Sequence, residues 1–169
     1  NQYGARHNMT DVMAALALVA DGDHAARAEV LADFAGRWQQ DPLVMDKWFA
    51  VQASAVRPGV LQEIRDLMQH GAFSLTNPNK VRALVGRFCL GNQVRFHAGS
   101  GAGYRFLTEQ VLSLDKINPQ IAARLVSALS RWKRHDANRQ ALMQAELNRI
   151  LSTPAISKDV YEIVSKSLG

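Results

Sequence analysis

Apolar residues recur every three or four positions along almost the whole chain, and the strict alternation of a half-buried β-strand is nearly absent. This spacing places the apolar side chains on one face of a helix. It occurs in nine segments, within residues 12–20, 31–38, 43–53, 60–68, 81–88, 104–114, 121–132, 142–151 and 160–168. Segment 43–53 is apolar around more than half of its circumference, which predicts a largely buried helix. The pattern therefore predicts an all-α fold of about nine helices.

Three of these helices are predicted to begin where an Asp or Asn directly precedes a proline. The pairs are Asp41–Pro42, Asn77–Pro78 and Asn118–Pro119. The side-chain oxygen can accept a hydrogen bond from the first turn, and proline in that turn loses no bond that the helix would have made. Asn8 predicts a similar start, and Gly71 and Gly91 are predicted to end helices in the left-handed conformation.

The spacing of the prolines indicates how the helices are arranged. Pro154 is a further candidate helix start, and Pro42, Pro78, Pro119 and Pro154 are separated by 36, 41 and 35 residues. A helical hairpin of a HEAT or armadillo array occupies about 40 residues. We therefore predict one helical-repeat domain over residues 1–169, a superhelical stack of antiparallel helix pairs. An irregular helical bundle is the alternative.

Composition narrows the class of protein. The chain has 169 residues, of which 47% are hydrophobic, so an intrinsically disordered chain is excluded. Its single cysteine, Cys89, excludes an internal disulfide and fits a reducing compartment, which predicts a cytoplasmic location. No uninterrupted apolar run reaches about 18 residues, so no membrane crossing is expected. The formal net charge of +5 permits a nucleic-acid partner without requiring one.

The motifs of common catalytic sites are missing from the sequence. No histidine pair has the spacing of a zincin helix, and no Gly-x-Ser-x-Gly elbow occurs. The glycine-rich run 99–103 follows no predicted strand and lacks the P-loop lysine, so we interpret it as a flexible connector. The basic segment 131–139 is interpreted as a solvated face, because Trp132 lies in phase with the apolar face before it. We predict no catalytic residue and no metal ligand.

Several strings nevertheless resemble one known family. They are Leu-Val-Met-Asp-Lys-Trp-Phe at 43–49, Asn-Pro-Asn at 77–79 followed by Arg82, and Asn-Pro-Gln at 118–120 followed by Arg124. The first of these is the most distinctive. Together with scattered matches from Asn8 to the end, they make the chain similar to the C-terminal domain of the aminopeptidase N family. Members of this family are bacterial zinc metallopeptidases of the gluzincin type.

The resemblance implies a function that the residues alone do not. Family members remove N-terminal residues from peptides, and their zinc ligands and the segment that holds the substrate amine belong to a preceding catalytic domain. The resemblance therefore implies that this chain is a C-terminal piece of a larger enzyme. This piece is inactive alone and has no cofactor of its own, and the zinc lies in the parent's catalytic domain. The missing initiator Met fits such a piece. The implied partners are that catalytic domain, whose cleft this domain covers, and peptide substrates.

By the same resemblance, Arg82, Gln120 and Arg124 line the channel through which substrate enters. Arg can clasp a peptide carbonyl or carboxylate, and Gln offers both a donor and an acceptor. The alternative for the two arginines is that they brace neighbouring helices against Asp or Glu. The alternative for the chain is a free-standing helical-repeat scaffold that binds protein or nucleic acid through segment 131–139. Of these two partners, nucleic acid is the less expected.

Overall fold

A computed structural model describes residues 9–169, so the predicted helix start at Asn8 lies outside the described residues. This part of the chain contains ten α-helices and no β-strand, and the all-α prediction is confirmed. The helices are α1 (Met9–Asp21), α2 (Arg27–Trp38), α3 (Pro42–Ala53), α4 (Val60–Leu67), α5 (Pro78–Val81), α6 (Gln93–Phe96), α7 (Ala102–Asp115), α8 (Pro119–Val126), α9 (Ala137–Leu151) and α10 (Lys158–Leu168).

The structure departs from the predicted helices in three places. Helix α6 was not predicted, because its four residues are too few to show a period. Helix α5 continues as a π-helix, Arg82–Gly91, although the apolar spacing there is that of an α-helix. The predicted helix over 121–132 breaks into α8 and two 3₁₀ segments, Ser127–Leu129 and Trp132–Arg134. Ser127 and Ser130 donate their hydroxyl protons to backbone carbonyls at this break, in competition with regular helical geometry.

The chain divides into two compact units between Arg87 and Phe88. In the first unit, α1 packs on α2 and α3, and α3 packs on α4 and α5. Its core contains the fully buried Leu16, Phe34, Met45, Phe49 and Ile64. The prediction that segment 43–53 is largely buried is confirmed, with Leu43 and Lys47 as its exposed residues.

In the second unit, α7 packs on α6, α8 and α9, and α10 packs on α8 and α9. Its core holds three phenylalanine rings in edge-to-face contact, with the rings of Phe96 and Phe106 5.8–6.0 Å from that of Phe88. Gly103 lets α7 approach this core, because a Cβ atom there would lie 2.2 Å from the carbonyl oxygen of Phe96.

The three Asx–Pro starts are confirmed, and two other local predictions are wrong. Asp41, Asn77 and Asn118 each accept a backbone hydrogen bond from the first turn of their helix. Among the described glycines, however, only Gly101 has a positive φ, 76°, so Gly71 and Gly91 do not end helices in the left-handed conformation. Pro154 starts no helix either, since α10 begins at Lys158 with Ser157 as its cap.

Within the part of the chain that the structure describes, no helix is both long and apolar enough to cross a membrane.

Candidate functional site

Arg82 is the first residue of the π-helix and lies on the surface of the first unit. The Asn77 side chain accepts hydrogen bonds from the backbone N–H groups of Asn79 (3.1 Å) and Lys80 (3.4 Å) and so fixes the turn before it. Nη1 of Arg82 donates to Oδ1 of Asn79 at 3.0 Å. Arg82 is exposed, and the hydrogen bond to Asn79 defines the position of its guanidinium relative to the Asn-Pro-Asn turn.

The same turn is tied to α3 by a nearly buried ion pair. Nζ of Lys80 donates to Oδ1 of Asp46 at 2.7 Å and to the carbonyl oxygen of Pro42 at 2.8 Å. The Lys80 side chain is only 7% exposed. Two residues after Asp46, Trp48 is buried and donates from Nε1 to the carbonyl oxygen of Leu31 at 3.0 Å. The most distinctive string of the family resemblance therefore holds α2, α3 and α5 together.

Gln120 and Arg124 lie four residues apart on α8, in the second unit, and both are exposed. Residues at this spacing share one face of a helix. The start of α8 is fixed by Asn118, whose side chain accepts from the N–H of Ile121 at 3.3 Å. Helix α8 thus presents an amide and a guanidinium side by side to solvent.

Neither predicted arginine makes the ion pair that the bracing alternative requires. Among the described residues, Arg82 bonds to an amide, Asn79, and no Asp or Glu lies within ion-pair distance of Arg82 or Arg124. Their donors remain available to a group outside this part of the chain. That Arg82, Gln120 and Arg124 contact substrate stays a prediction.

The glycine-rich loop before α7 is fastened by side chains of α9. Nε of Arg139 donates to the carbonyl oxygen of His97 at 2.7 Å, and Nδ2 of Asn138 donates to that of Gly99 at 3.2 Å. Arg105 of α7 adds a hydrogen bond to the carbonyl oxygen of Ser100 at 3.1 Å. We interpreted this loop from sequence as a flexible connector, but it is a bonded turn between two helices.

The structure also brings together three residues that the sequence does not connect. The rings of His97 and His135 are stacked with their centroids 4.5 Å apart, and Nδ1 of His97 lies 2.8 Å from the hydroxyl of the buried Tyr104. Burial lowers the pKa of His97 to about 4, with smaller contributions from His135 and Arg139. Burial likewise raises the pKa of Tyr104. The two histidines are 38 positions apart and belong to no motif, so only the fold reveals the pair.

The basic segment 131–139 offers fewer contacts to a partner than its sequence suggests. Trp132 is 8% exposed and donates from Nε1 to the carbonyl oxygen of Ser167 at 2.9 Å, as its apolar phase predicts. Arg139 pairs with Asp136, its Nη1 lying 2.6 Å from Oδ2. Arg131, Lys133 and Arg134 remain exposed, but without an exposed aromatic ring on which a base could stack.

Neither the cysteine nor the acidic residues form a reactive or metal-binding group. Cys89 is buried, and burial raises the pKa of its thiol above the ordinary range, which keeps it protonated. Among residues 9–169, no three His, Cys, Asp or Glu side chains lie where they could hold one metal ion.

Over residues 1–169 the chain matches the family described as "Domain of unknown function (DUF3458_C) ARM repeats". The chain belongs to the DUF3458_C family. The description also confirms the predicted repeat class, since ARM repeats are stacked helical units of the armadillo type.

The relatives of this DUF3458_C chain are aminopeptidases. It is 46% identical over 98% of its length to aminopeptidase N of Haemophilus influenzae, and 44% identical over 99% to that of Caulobacter vibrioides. Identity to aminopeptidase N of Escherichia coli is 41% over 99%. A crystal structure of Legionella pneumophila aminopeptidase A in complex with aspartic acid matches 96% of the chain with a TM-score of 0.90 and 38% identity.

The DUF3458_C chain spans about 19% of the length of each of these relatives. The predicted resemblance to the C-terminal domain of bacterial aminopeptidases N is therefore confirmed, and the chain corresponds to one domain of such an enzyme.

Proposed function

We propose that this chain is the non-catalytic domain of a zinc aminopeptidase N, which covers the catalytic cleft and lines the path of the peptide substrate. The observation that supports this most directly is the pair formed by Gln120 and Arg124 on α8. Within a domain that matches aminopeptidases over 98–99% of its length, this pair is exposed and Arg124 has no acidic partner among the described residues.

The chemistry of these side chains suits a peptide. A guanidinium can donate several hydrogen bonds to a backbone carbonyl or a carboxylate, and the amide of Gln120 both donates and accepts. Such contacts recognise the peptide backbone and not a particular side chain. Arg82, held by the Asn-Pro-Asn turn of the first unit, supplies the same chemistry.

Exposed apolar residues support docking against another part of the same polypeptide. Leu18 on α1 is 76% exposed, and Leu43 at the start of α3 is 71% exposed. Ala14, Ala17, Leu18 and Val51 belong to the lining of a largely apolar hollow between α1 and α3, with a volume of about 610 Å³. Exposed apolar patches of this kind mark interfaces. The catalytic domain is the partner that the proposal assigns to them.

The zinc of the parent enzyme belongs, in this proposal, to the catalytic domain, where it activates the water that attacks the first peptide bond. No step of that reaction uses a residue of this chain. The contribution of the domain is to exclude bulk water and to admit only a flexible peptide end. The cytoplasmic location and the single domain over residues 1–169 stay predictions.

The test is Arg124→Ala in the intact parent enzyme, assayed with a series of short peptides. Removing a contact that binds substrate and transition state equally raises KM and leaves kcat nearly unchanged. We expect KM to rise by about tenfold or more, because a hydrogen bond to a charged group contributes about 1.5–3 kcal/mol. Lys116→Ala is the control, since Lys116 is an exposed cation of the same unit outside the predicted lining.

Unchanged KM in the Arg124 variant, or an equal rise in the Lys116 variant, would contradict the lining role. Binding of a nucleic acid that weakens steeply with salt and depends on segment 131–139 would instead support the scaffold alternative.

A further inference from the structure

A polar pocket of about 470 Å³ lies wholly within the second unit. This size falls within the range of about 300–1,000 Å³ that small-molecule sites occupy. The π-helix, α6 and the broken segment after α8 contribute the side chains around it. They are Cys89, Leu90, Gln93, His97, Ser127, Ala128, Ser130, Arg131 and His135.

The lining of this pocket has a positive charge and no carboxylate to neutralise it. Arg131 is exposed and makes no ion pair among the described residues. The ring nitrogens of His135 have no hydrogen-bond partner in this part of the chain either. A guanidinium beside an imidazole, with both sets of donors available, is an arrangement that favours an anion.

His97 adds a donor whose position is set by Tyr104. The buried hydroxyl of Tyr104 has one partner among the described residues, Nδ1 of His97 at 2.8 Å. Donation by the hydroxyl is the direction that satisfies its buried proton, so we assign Nδ1 as the acceptor and place the proton of the neutral imidazole on Nε2. His97 therefore lines the pocket as a fixed N–H donor, and its ring is stacked on that of His135.

We propose that this pocket binds a small organic anion through its carboxylate. Arg131 and the imidazoles of His97 and His135 hold the carboxylate, and Leu90, Ala128 and the Cys89 side chain contact the apolar body of the ligand. The apolar part of the lining is what distinguishes such a ligand from a bare inorganic anion. The proposal does not depend on the aminopeptidase function, because the pocket is lined by none of the residues on which that function rests, Arg82, Gln120 and Arg124.

The test is an NMR titration of the 169-residue chain, whose two cores are formed by its own residues, with ¹⁵N-labelled histidine side chains. Three probes are added at constant ionic strength: hexanoate, hexanamide and inorganic phosphate. Hexanamide keeps the apolar body without the charge, and phosphate keeps the charge without the body. We expect hexanoate to shift the His97 and His135 ring resonances in a saturable manner. Hexanamide and phosphate should bind at least about tenfold more weakly, since each lacks one of the two contacts.

Two matched variants assign the binding to the pocket. Arg131→Gln should weaken hexanoate binding by about tenfold, because it removes a charged hydrogen-bond donor. Arg134→Gln, an exposed arginine three residues away that does not line the pocket, should leave it unchanged. No saturable shift with hexanoate, equal binding of hexanamide or phosphate, or equal effects of the two substitutions would each overturn the proposal.

Discussion

Loss of one partner of the ion pair between Asp46 and Lys80 is expected to destabilise the first unit strongly. Asp46→Asn removes the negative charge and leaves the Lys80 ammonium, 7% exposed, with the Pro42 carbonyl and a neutral amide. Removing one partner of a buried pair costs about 3–5 kcal/mol, because the other charge stays buried and uncompensated. Asp46 itself is 20% exposed. We therefore expect the lower end of this range, about 3 kcal/mol.

The assay is urea unfolding of the chain followed by tryptophan fluorescence. Trp38 and Trp48 report on the first unit and Trp132 on the second. A Trp132→Phe background isolates the signal of the first unit. For a unit of this size, each loss of about 1 kcal/mol in the free energy of unfolding lowers Tm by about 4–8 °C.

Asp33→Asn is the matched control for this prediction. Asp33 pairs with Arg37 on the surface of α2 at 3.0 Å, with the two side chains 46% and 54% exposed. Exposed pairs contribute about 0.2–1 kcal/mol. A loss below about 1 kcal/mol for Asp46→Asn, or equal losses for the two variants, would refute the reasoning that the burial of Lys80 makes the loss of its partner costly.

Three further predictions follow from other features of the fold. Gly103→Ala should destabilise the second unit by several kcal/mol in urea unfolding, since its Cβ would overlap the Phe96 carbonyl, whereas Gly36→Ala should stabilise α2 by about 0.5–1 kcal/mol. His97 has a folded pKa of about 4, below its unfolded value, so its contribution to stability is present above about pH 6.5 and is lost as the pH falls towards 4. Urea midpoints measured between pH 7 and 4 should fall less in His97→Gln than in the unsubstituted chain. Finally, the 169-residue chain alone should neither bind zinc tightly nor hydrolyse aminoacyl anilides; stoichiometric zinc with measurable hydrolysis would contradict this.

Helix starts at Asx–Pro pairs and the burial of one tryptophan were predicted well, whereas the helix ends expected at Gly71 and Gly91 were not. The Asx–Pro helix starts need only a side-chain oxygen and a proline beside it, and all three form as expected. The burial of Trp132 followed from its phase with the apolar face before it. The break after α8 was missed, because the periodicity continues through Ser127 and Ser130 while their hydroxyl groups bond to the backbone.

Features that depend on distant residues were not accessible from the pattern. The string at 43–49 identified the family, but its role became clear only when Asp46 was found beside Lys80, 34 positions later. The stacked rings of His97 and His135 are likewise far apart in the sequence, so the pattern does not reveal their contact. The lining role of Arg82, Gln120 and Arg124 rests on the resemblance. In the structure all three are exposed, and neither arginine has an acidic partner among the described residues.

The indole N–H of Trp132 caps the C-terminal end of α10. The last carbonyl groups of any helix lack partners along its own backbone, and that of Ser167 receives the Trp132 N–H instead. Arg131, which lines the polar pocket, is the adjacent residue. Fraying of the terminal turn of α10 is therefore linked to the segment beside the pocket. Hydrogen–deuterium exchange at the amides of Ser165 to Leu168, none of which lines the pocket, would consequently slow when the pocket is occupied.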